Sequence, residues 1–261
     1  MSNPYLPAEI LDHIVDLLRD TTYPLRNCCL VSQSWTPRTR KHLFADIKLY
    51  TVKNLQSWKN KFPDPSTSPA HYTKTLSIGC PEAITAADAE GDGWIRAFSR
   101  VVHLEVEIPR TAISLVPLHG FSPVIKSLRV ACATLRLPLS QIFNLILSFP
   151  LLEDLSVIAC DPPIDSGHDF DGQPTVVYPS NPPTFTGSLE LFLVVGVNHI
   201  ARQLLSLPGG LHFQKLTLRW KYKEDLLLTM ALVERCCSTL ESLDIRREGL
   251  GTFVRHLRPH Q

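Results

Sequence analysis

The sequence of 261 residues contains no long hydrophobic run and carries almost no net charge. Its longest apolar stretch, around residues 191–197, is much shorter than the roughly 20 residues that a membrane-spanning helix needs. The 26 lysines and arginines nearly balance the 25 aspartates and glutamates, so the formal net charge is +1. This balance argues against a nucleic-acid-binding protein and against an acidic disordered tail. We therefore expect no nucleic acid and no membrane among the partners.

Motifs of common catalytic and metal sites are also absent. The sequence has no G-x-S-x-G, no Walker A motif, no G-x-G-x-x-G and no H-E-x-x-H. Two acidic segments, 88–93 and 165–172, lack the ligand spacing and the terminal glutamate of a calcium-binding EF-hand loop. The sequence therefore predicts a protein that is not an enzyme and that binds no metal and no cofactor.

The seven cysteines are odd in number and form no C-x-x-C pair. In a chain of this length they are typical of buried thiols in a reducing compartment rather than of a disulfide framework. The first residues also lack the basic and apolar regions of a secretory signal. These features indicate a location in the cytoplasm, the nucleus or both.

Leucine and proline, in contrast, are abundant, with 39 and 21 residues respectively. From residue 73 onward, many of the leucines belong to a recurring Leu-x-aliphatic pattern that is typical of short strands. The spacings between successive anchor leucines are 28, 24, 27, 34, 27 and 27 residues, and leucine-rich repeats have periods of roughly 20 to 29. The anchors are Leu76, Leu104, Leu128, Leu155, Leu189, Leu216 and Leu243.

Apolar residues with helical spacing lie between several of the predicted strands, at 139–147, 200–207 and 226–237. A strand and a helix with one apolar face each cannot bury themselves alone, whereas stacked units bury one another. The sequence therefore predicts an α/β solenoid of parallel strands alternating with helices over residues 73–261. The proline-rich segment 161–187 accounts for the one long spacing and is predicted to be an inserted surface loop.

The first part of the chain has a different pattern. Residues 4–50 carry three short apolar clusters with helical spacing, and this predicts a compact three-helix module. Residues 51–72 are first amphipathic and then rich in proline, as expected of a linker with a connecting helix. Three short helices make only a thin core, so we expect this module to need a partner surface or the following domain for full stability.

Two motifs in the module point to a known family. Residues 6–14 are LPAEILDHI and residues 29–35 are CLVSQSW, and Arg40 and the Leu-Phe pair at 43–44 follow. This segment resembles an F-box, and the remainder is similar to the leucine-rich-repeat half of fungal F-box proteins with degenerate repeats. The resemblance implies an α/β chain with an N-terminal three-helix F-box, followed by an irregular leucine-rich-repeat solenoid.

The resemblance also implies a function. F-box proteins of this kind are substrate-recognition subunits of Skp–cullin–F-box ubiquitin ligases, in which a Skp-type adaptor links the F-box to a cullin and a RING subunit. An alternative is an interaction scaffold that binds the adaptor without a cullin, and some of the matching residues could instead fill the core of the module. The residues implied to form or support the adaptor-binding surface are Leu6, Pro7, Ile10, Leu11, Ile14, Leu30, Val31 and Trp35.

A second surface is expected on the concave face of the repeats, where strand side chains lie between the buried leucines. These side chains are of both charges, which favours a protein substrate over a polyanion. The alternative for each of them is an ordinary solvated strand position. The candidates for substrate binding are Glu105, Glu107, Arg129, Glu190, Arg219, Asp244 and Arg246.

Overall fold

The eight strands of the described residues form one parallel sheet whose strand order follows the sequence from β1 to β8. Each strand is hydrogen-bonded only to its neighbours in sequence, so the chain has the predicted α/β fold. The computed structural model describes residues 7–31, 33–89, 93–109, 114–121, 123–132, 139–159, 182–193, 195–220, 222–223 and 225–247. The strands are β1 Asp46–Leu49, β2 Thr75–Ile78, β3 His103–Ile108, β4 Ser127–Cys132, β5 Asp154–Ala159, β6 Ser188–Leu193, β7 Lys215–Trp220 and β8 Ser242–Arg247.

Helices follow β1 to β4, β6 and β7, as the crossover connections of parallel strands require. The helices are α1 Ala8–Leu17, α2 Thr22–Val31, α3 Thr36–Leu43, α4 Val52–Lys61, α5 Ala86–Ala89, α6 Trp94–Ala97, α7 Leu139–Leu147, α8 Val195–Leu205 and α9 Asp225–Cys236. Short 3-10 helices occur at Pro69–Tyr72, Pro81–Ala83 and Val116–Gly120. None of the helices in the described ranges is both long enough and apolar enough to cross a membrane.

The predicted anchor leucines lie opposite one another across the sheet. Leu76 pairs with Leu104, Leu104 with Leu128, and this register continues through Leu155 and the later anchors to Leu243. The six anchors from β2 to β7 are at most 1% exposed. Since side chains alternate between the two faces of a strand, one face of the sheet is a continuous apolar surface. The sequence spacing therefore predicted the strand positions correctly, and the structure adds that the anchors are in register.

Helices α7, α8 and α9 occupy the three segments where helical spacing was predicted. Helix α8 packs against α7 on one side and α9 on the other, and α8 and α9 also contact the sheet. Asp225, which is buried at the start of α9, accepts a 2.6 Å hydrogen bond from the Asn198 side chain of α8. One hydrophobic cluster extends through this region from Leu49 to Cys236.

The sheet begins earlier in the chain than the sequence pattern indicated. Strand β1 lies within the residues expected to form the N-terminal module, and Ile47 and Leu49 lie opposite Leu76 and Ile78 of β2. Helix α4 follows within the predicted linker, and the Thr51 hydroxyl caps it by accepting a 3.1 Å hydrogen bond from the Asn54 amide. Residues 46–72 thus supply a strand and a helix to the same array.

The end of the predicted insertion is not a surface loop. Residues 160–181 lie outside the described residues, but Phe185 is fully buried and its ring centroid lies 5.2 Å from that of Phe213. Its φ of 48° is in the left-handed region, which costs free energy that tight packing must offset. Asp154 accepts hydrogen bonds from the amide and the hydroxyl of Ser188, and so joins β5 to β6 next to this segment.

Helices α1, α2 and α3 form the expected three-helix module. Helix α2 begins before Pro24, which lies in its first turn, where a missing amide proton breaks no helical hydrogen bond. Helix α3 contacts both other helices and also the 3-10 helix Pro69–Tyr72, so the module is attached to the start of the sheet.

Candidate protein-interaction surfaces

The three-helix module has a small core of its own. Its buried apolar side chains are Val15 on α1 and Leu25 and Cys28 on α2, and none of them belongs to the main hydrophobic cluster. Leu25 and Cys28 are three residues apart, so they lie on the same side of their helix. The remaining apolar side chains of α1 and α2 are partly or fully exposed.

One stripe of exposed apolar side chains follows α1. Ile10 and Leu17 are both exposed, and Ile14 between them is half-buried. Residues four and seven positions apart lie on the same face of a helix, so these three side chains form a single stripe. Val15, which is buried, follows Ile14 by one position and so points about 100° around the helix from it, away from this stripe.

A second stripe follows α2. Tyr23 and Leu30 are seven residues apart and both are exposed, and Val31 beside Leu30 is exposed as well. Leu30 is 85% and Val31 is 68% exposed, which is unusual for residues that bury readily. We use the name module surface for Ile10, Leu17, Tyr23, Leu30 and Val31. Large apolar side chains left exposed on two helices of one small module are typical of surfaces that a partner covers.

The residues predicted to bind the adaptor fall into two groups. Pro7, Ile10, Leu30 and Val31 are exposed, with Ile10 at 48%. Leu11, Ile14 and Trp35 are half-buried and therefore also pack within the module. Leu6 lies outside the described residues. The predicted adaptor-binding set did not include Leu17 or Tyr23, although the heptad spacing from Ile10 to Leu17 and from Tyr23 to Leu30 is a signal that could have found them.

A polar cluster joins α1 to α3. Arg38 donates two hydrogen bonds to the Asp16 carboxylate, one of them from Nε to Oδ1 at 2.8 Å. His42 Nε2 lies 2.7 Å from the same oxygen, and a guanidinium nitrogen of Arg38 lies 3.8 Å from Asp12. Arg38 and His42 thus hold α3 against α1.

The electrostatics of this cluster follow from its geometry. The hydrogen bond from Arg38, and then that from His42, holds the pKa of Asp16 well below its usual range. The same hydrogen bond raises the pKa of Arg38. Because Asp16 is partly open to water, the gain from each contact is screened. The cluster therefore fixes the arrangement of the two helices more than it adds stability.

The sheet carries the second predicted surface on the face opposite the buried leucines. Glu105 pairs with Arg129 in the strand register, and their side chains lie 3.3 Å apart. Glu190 lies 3.5 Å from Arg219. The Ser77 and Ser156 hydroxyls donate 2.9 Å hydrogen bonds to Glu105 and Glu190. These acids are therefore already neutralised within the chain.

Of the remaining predicted residues of this face, Asp244 and Arg246 lie on the last strand and Glu107 lies on the third. Asp244 and Arg246 form a 2.7 Å ion pair on β8. Glu107 on β3 is exposed and has no hydrogen bond or ion pair with any described residue. Between Glu107 and Arg219, the same row of side chains contains Ala131, Ile158 and Phe192. The strand face is thus charged but almost neutral overall, as a protein partner would favour.

The cysteines are free thiols in the described part of the chain. Cys28, Cys80, Cys132 and Cys236 are buried, as predicted, and burial raises the pKa of the Cys80 and Cys236 thiols. Cys237 is exposed, contrary to the expectation of a buried thiol. Within the described ranges no three His, Cys, Asp or Glu side chains come together in a way that could hold a metal ion.

The comparisons with known proteins give no independent assignment. Neither a family model, nor a curated protein, nor a solved structure matches this chain.

Proposed function

We propose that the chain is a substrate-recognition subunit of a Skp–cullin–F-box ubiquitin ligase that acts in the cytoplasm or nucleus. In this proposal α1–α3 form an F-box that binds a Skp-type adaptor. The sheet and its helices form degenerate leucine-rich repeats that bind a protein substrate. The observation that carries the proposal is the module surface, whose exposed apolar residues include Ile10, Leu30 and Val31 from the two F-box-like motifs.

The energetics support an interface at this place. An exposed leucine or valine gives up the free energy that its burial would supply, about 1.5 to 3 kcal/mol each. The described core of the module consists of three apolar side chains. Packing within the chain therefore does not account for the exposed leucines and valine of the module surface. Burial against a partner helix would recover this free energy, in the manner of apolar helix faces that pack into grooves.

The strand order supports the repeat part of the proposal. Eight parallel strands in sequence order, with anchor leucines in register from β2 to β8 and a helix after each of β1 to β4, β6 and β7, are what stacked repeats produce. Side chains of both charges on the open face fit recognition of a protein substrate. The candidates for that contact remain the strand residues Glu105, Glu107, Arg129, Glu190, Arg219, Asp244 and Arg246.

Binding of a purified Skp-type adaptor tests the module surface. We expect the full chain to bind the adaptor and Leu30→Asp to weaken binding at least about thirtyfold, as for a central interface residue. Ile10→Asp is expected to act in the same direction. Leu227→Asp is the matched control, because Leu227 is a 77% exposed leucine on α9, in a different part of the molecule. The proposal is wrong if wild type does not bind or if Leu30→Asp binds as wild type does.

Cullin recruitment separates the ligase from the alternative scaffold. For the ligase, we expect a cullin–RING complex to join the chain and the adaptor and to transfer ubiquitin to a bound protein. A chain that binds the adaptor but never a cullin would instead be the scaffold. Binding of the adaptor is common to both, so the cullin step is the measurement that distinguishes them.

A further inference from the structure

A cavity of about 340 Å³ lies where α3 meets the beginnings of β2 and β3. Lys41 comes from α3, Lys74 directly precedes β2, and Arg100 lies shortly before β3. The backbone places the β2 and β3 sides next to each other, because the Lys74 carbonyl accepts hydrogen bonds from the Val102 and His103 amides. The cavity is separate from both the module surface and the open strand face. The other lining residues are Tyr72, Ser99, Val102 and Val124.

The charge in this cavity is of one sign. Lys41, Lys74 and Arg100 form no ion pair with any described residue, and no carboxylate is among the lining residues. Lys126, the next cation along the same edge of the sheet, is by contrast paired with Glu153 at 2.7 Å. Three cations around one concavity raise the local concentration of anions and favour a group that can bind several of them together.

The types of positively charged side chain around the cavity favour some anions over others. Ammonium and guanidinium side chains that come to one cavity from three different elements suit a phosphate, whose oxygens accept hydrogen bonds on all sides. Tyr72 and Ser99 also line the cavity. Val102, Val124 and the Tyr72 ring provide apolar walls, and a volume of this size holds a small organic molecule.

We propose that this cavity binds a phosphate ester, with the phosphate between Lys41, Lys74 and Arg100 and an apolar body against Val102 and Val124. Such a ligand would contact α3 of the module and the start of the sheet at once. It would therefore strengthen the connection between the two parts of the molecule. The inference does not depend on the proposed ligase function, since it rests on the cavity alone.

Calorimetric titration of the full chain with phenyl phosphate and with inorganic phosphate, at constant ionic strength, tests the site. We expect both probes to bind at millimolar concentration or below, and phenyl phosphate to bind more tightly because its ring contacts the apolar walls. The double variant Lys74→Gln with Arg100→Gln is expected to weaken binding about tenfold, since each exposed ion pair contributes a few-fold.

A matched control removes two charges elsewhere. Lys53 and Lys223 are exposed and do not line the cavity, so Lys53→Gln with Lys223→Gln is expected to bind phenyl phosphate as wild type does. The proposal is overturned if wild type binds neither probe. It is also overturned if both double variants bind equally, because the effect would then be one of net charge.

A phosphotyrosine peptide distinguishes the source of the ester. Tighter binding than phenyl phosphate would indicate a phosphorylated protein, and binding no tighter would indicate a free phosphate ester. Either result supports the site once phenyl phosphate binds as expected. A chain that binds phenyl phosphate but no Skp-type adaptor would contradict only the proposed ligase function.

Discussion

The two parts of this molecule use the same residue types in opposite ways. In the sheet region, anchor leucines such as Leu128 and Leu189 are fully buried within one continuous core. In the three-helix module, Leu17 and Leu30 are exposed, and three buried apolar side chains form the core. A repeat array therefore supplies its own stability through neighbouring units, whereas the module leaves apolar surface for a partner.

The largest expected effect comes from the core of the sheet region. Phe143 on α7 is fully buried, so Phe143→Ala leaves a cavity and is expected to cost about 3–5 kcal/mol of unfolding free energy. Urea unfolding monitored by far-ultraviolet circular dichroism measures this loss. A cost below about 1 kcal/mol would contradict a tightly packed continuous core.

A smaller and more local effect is expected in the module. Leu25→Ala is expected to cost about 2 kcal/mol, at the low end for a buried leucine, because a thin core can partly collapse. The loss should be confined to α1–α3. Amide hydrogen exchange should therefore increase in α1–α3 and stay unchanged in β4 to β7. Equal acceleration throughout the chain would mean that module and sheet unfold as one unit.

The sequence predicted the sheet region better than the module. A Leu-x-aliphatic pattern with regular spacing specifies buried strand positions and, through them, the register. Strand β1 was missed because it directly follows the F-box-like segment. Ile47 nevertheless precedes Leu76 by 29 residues, a spacing that fits the repeat period. Phe185 could not be placed because its burial depends on packing against Phe213, which no local pattern encodes.

Removal of the polar link between α1 and α3 is expected to have a smaller effect on stability than Leu25→Ala. Folding lowers the pKa of Asp16, so its contribution is fully present above the unfolded value of about 3.9 and is lost as pH falls through the lower folded value. Wild type should therefore be more stable than Asp16→Asn at pH 7, and this difference should shrink below about pH 4. Chemical unfolding of both proteins across this range measures the difference, and a constant difference would contradict the link.

The smallest effect is expected on the open strand face. Glu190 and Arg219 are partly exposed, and a guanidinium nitrogen of Arg219 lies 3.5 Å from a carboxylate oxygen of Glu190. Their coupling energy should therefore be below about 1 kcal/mol. A double-mutant cycle with Glu190→Gln and Arg219→Gln measures it. A coupling well above this value would assign these residues a structural role and remove them as candidates for substrate contact.

The candidate surfaces show where sequence reasoning reaches its limit. The motif residues include Ile10, Leu30 and Val31, which are exposed, but the motifs could not separate them from half-buried Trp35. The pairing of Arg38 and His42 with Asp16 depends on the packing of α3 against α1, and spacing along the chain does not encode it. Side-chain pairs between separate elements require the folded structure.

Hydrogen exchange of the full chain with and without a Skp-type adaptor tests the central claim most directly. The account predicts slower exchange in α1 and α2, which carry the module surface, and unchanged exchange in β4 to β7. With the adaptor added, the Leu30→Asp protein should show no slowing of exchange in α1 or α2. The Leu227→Asp protein should behave as wild type does. Protection confined to the strands or to α9, with α1 and α2 unaffected, would contradict the assignment of the module as the adaptor-binding end.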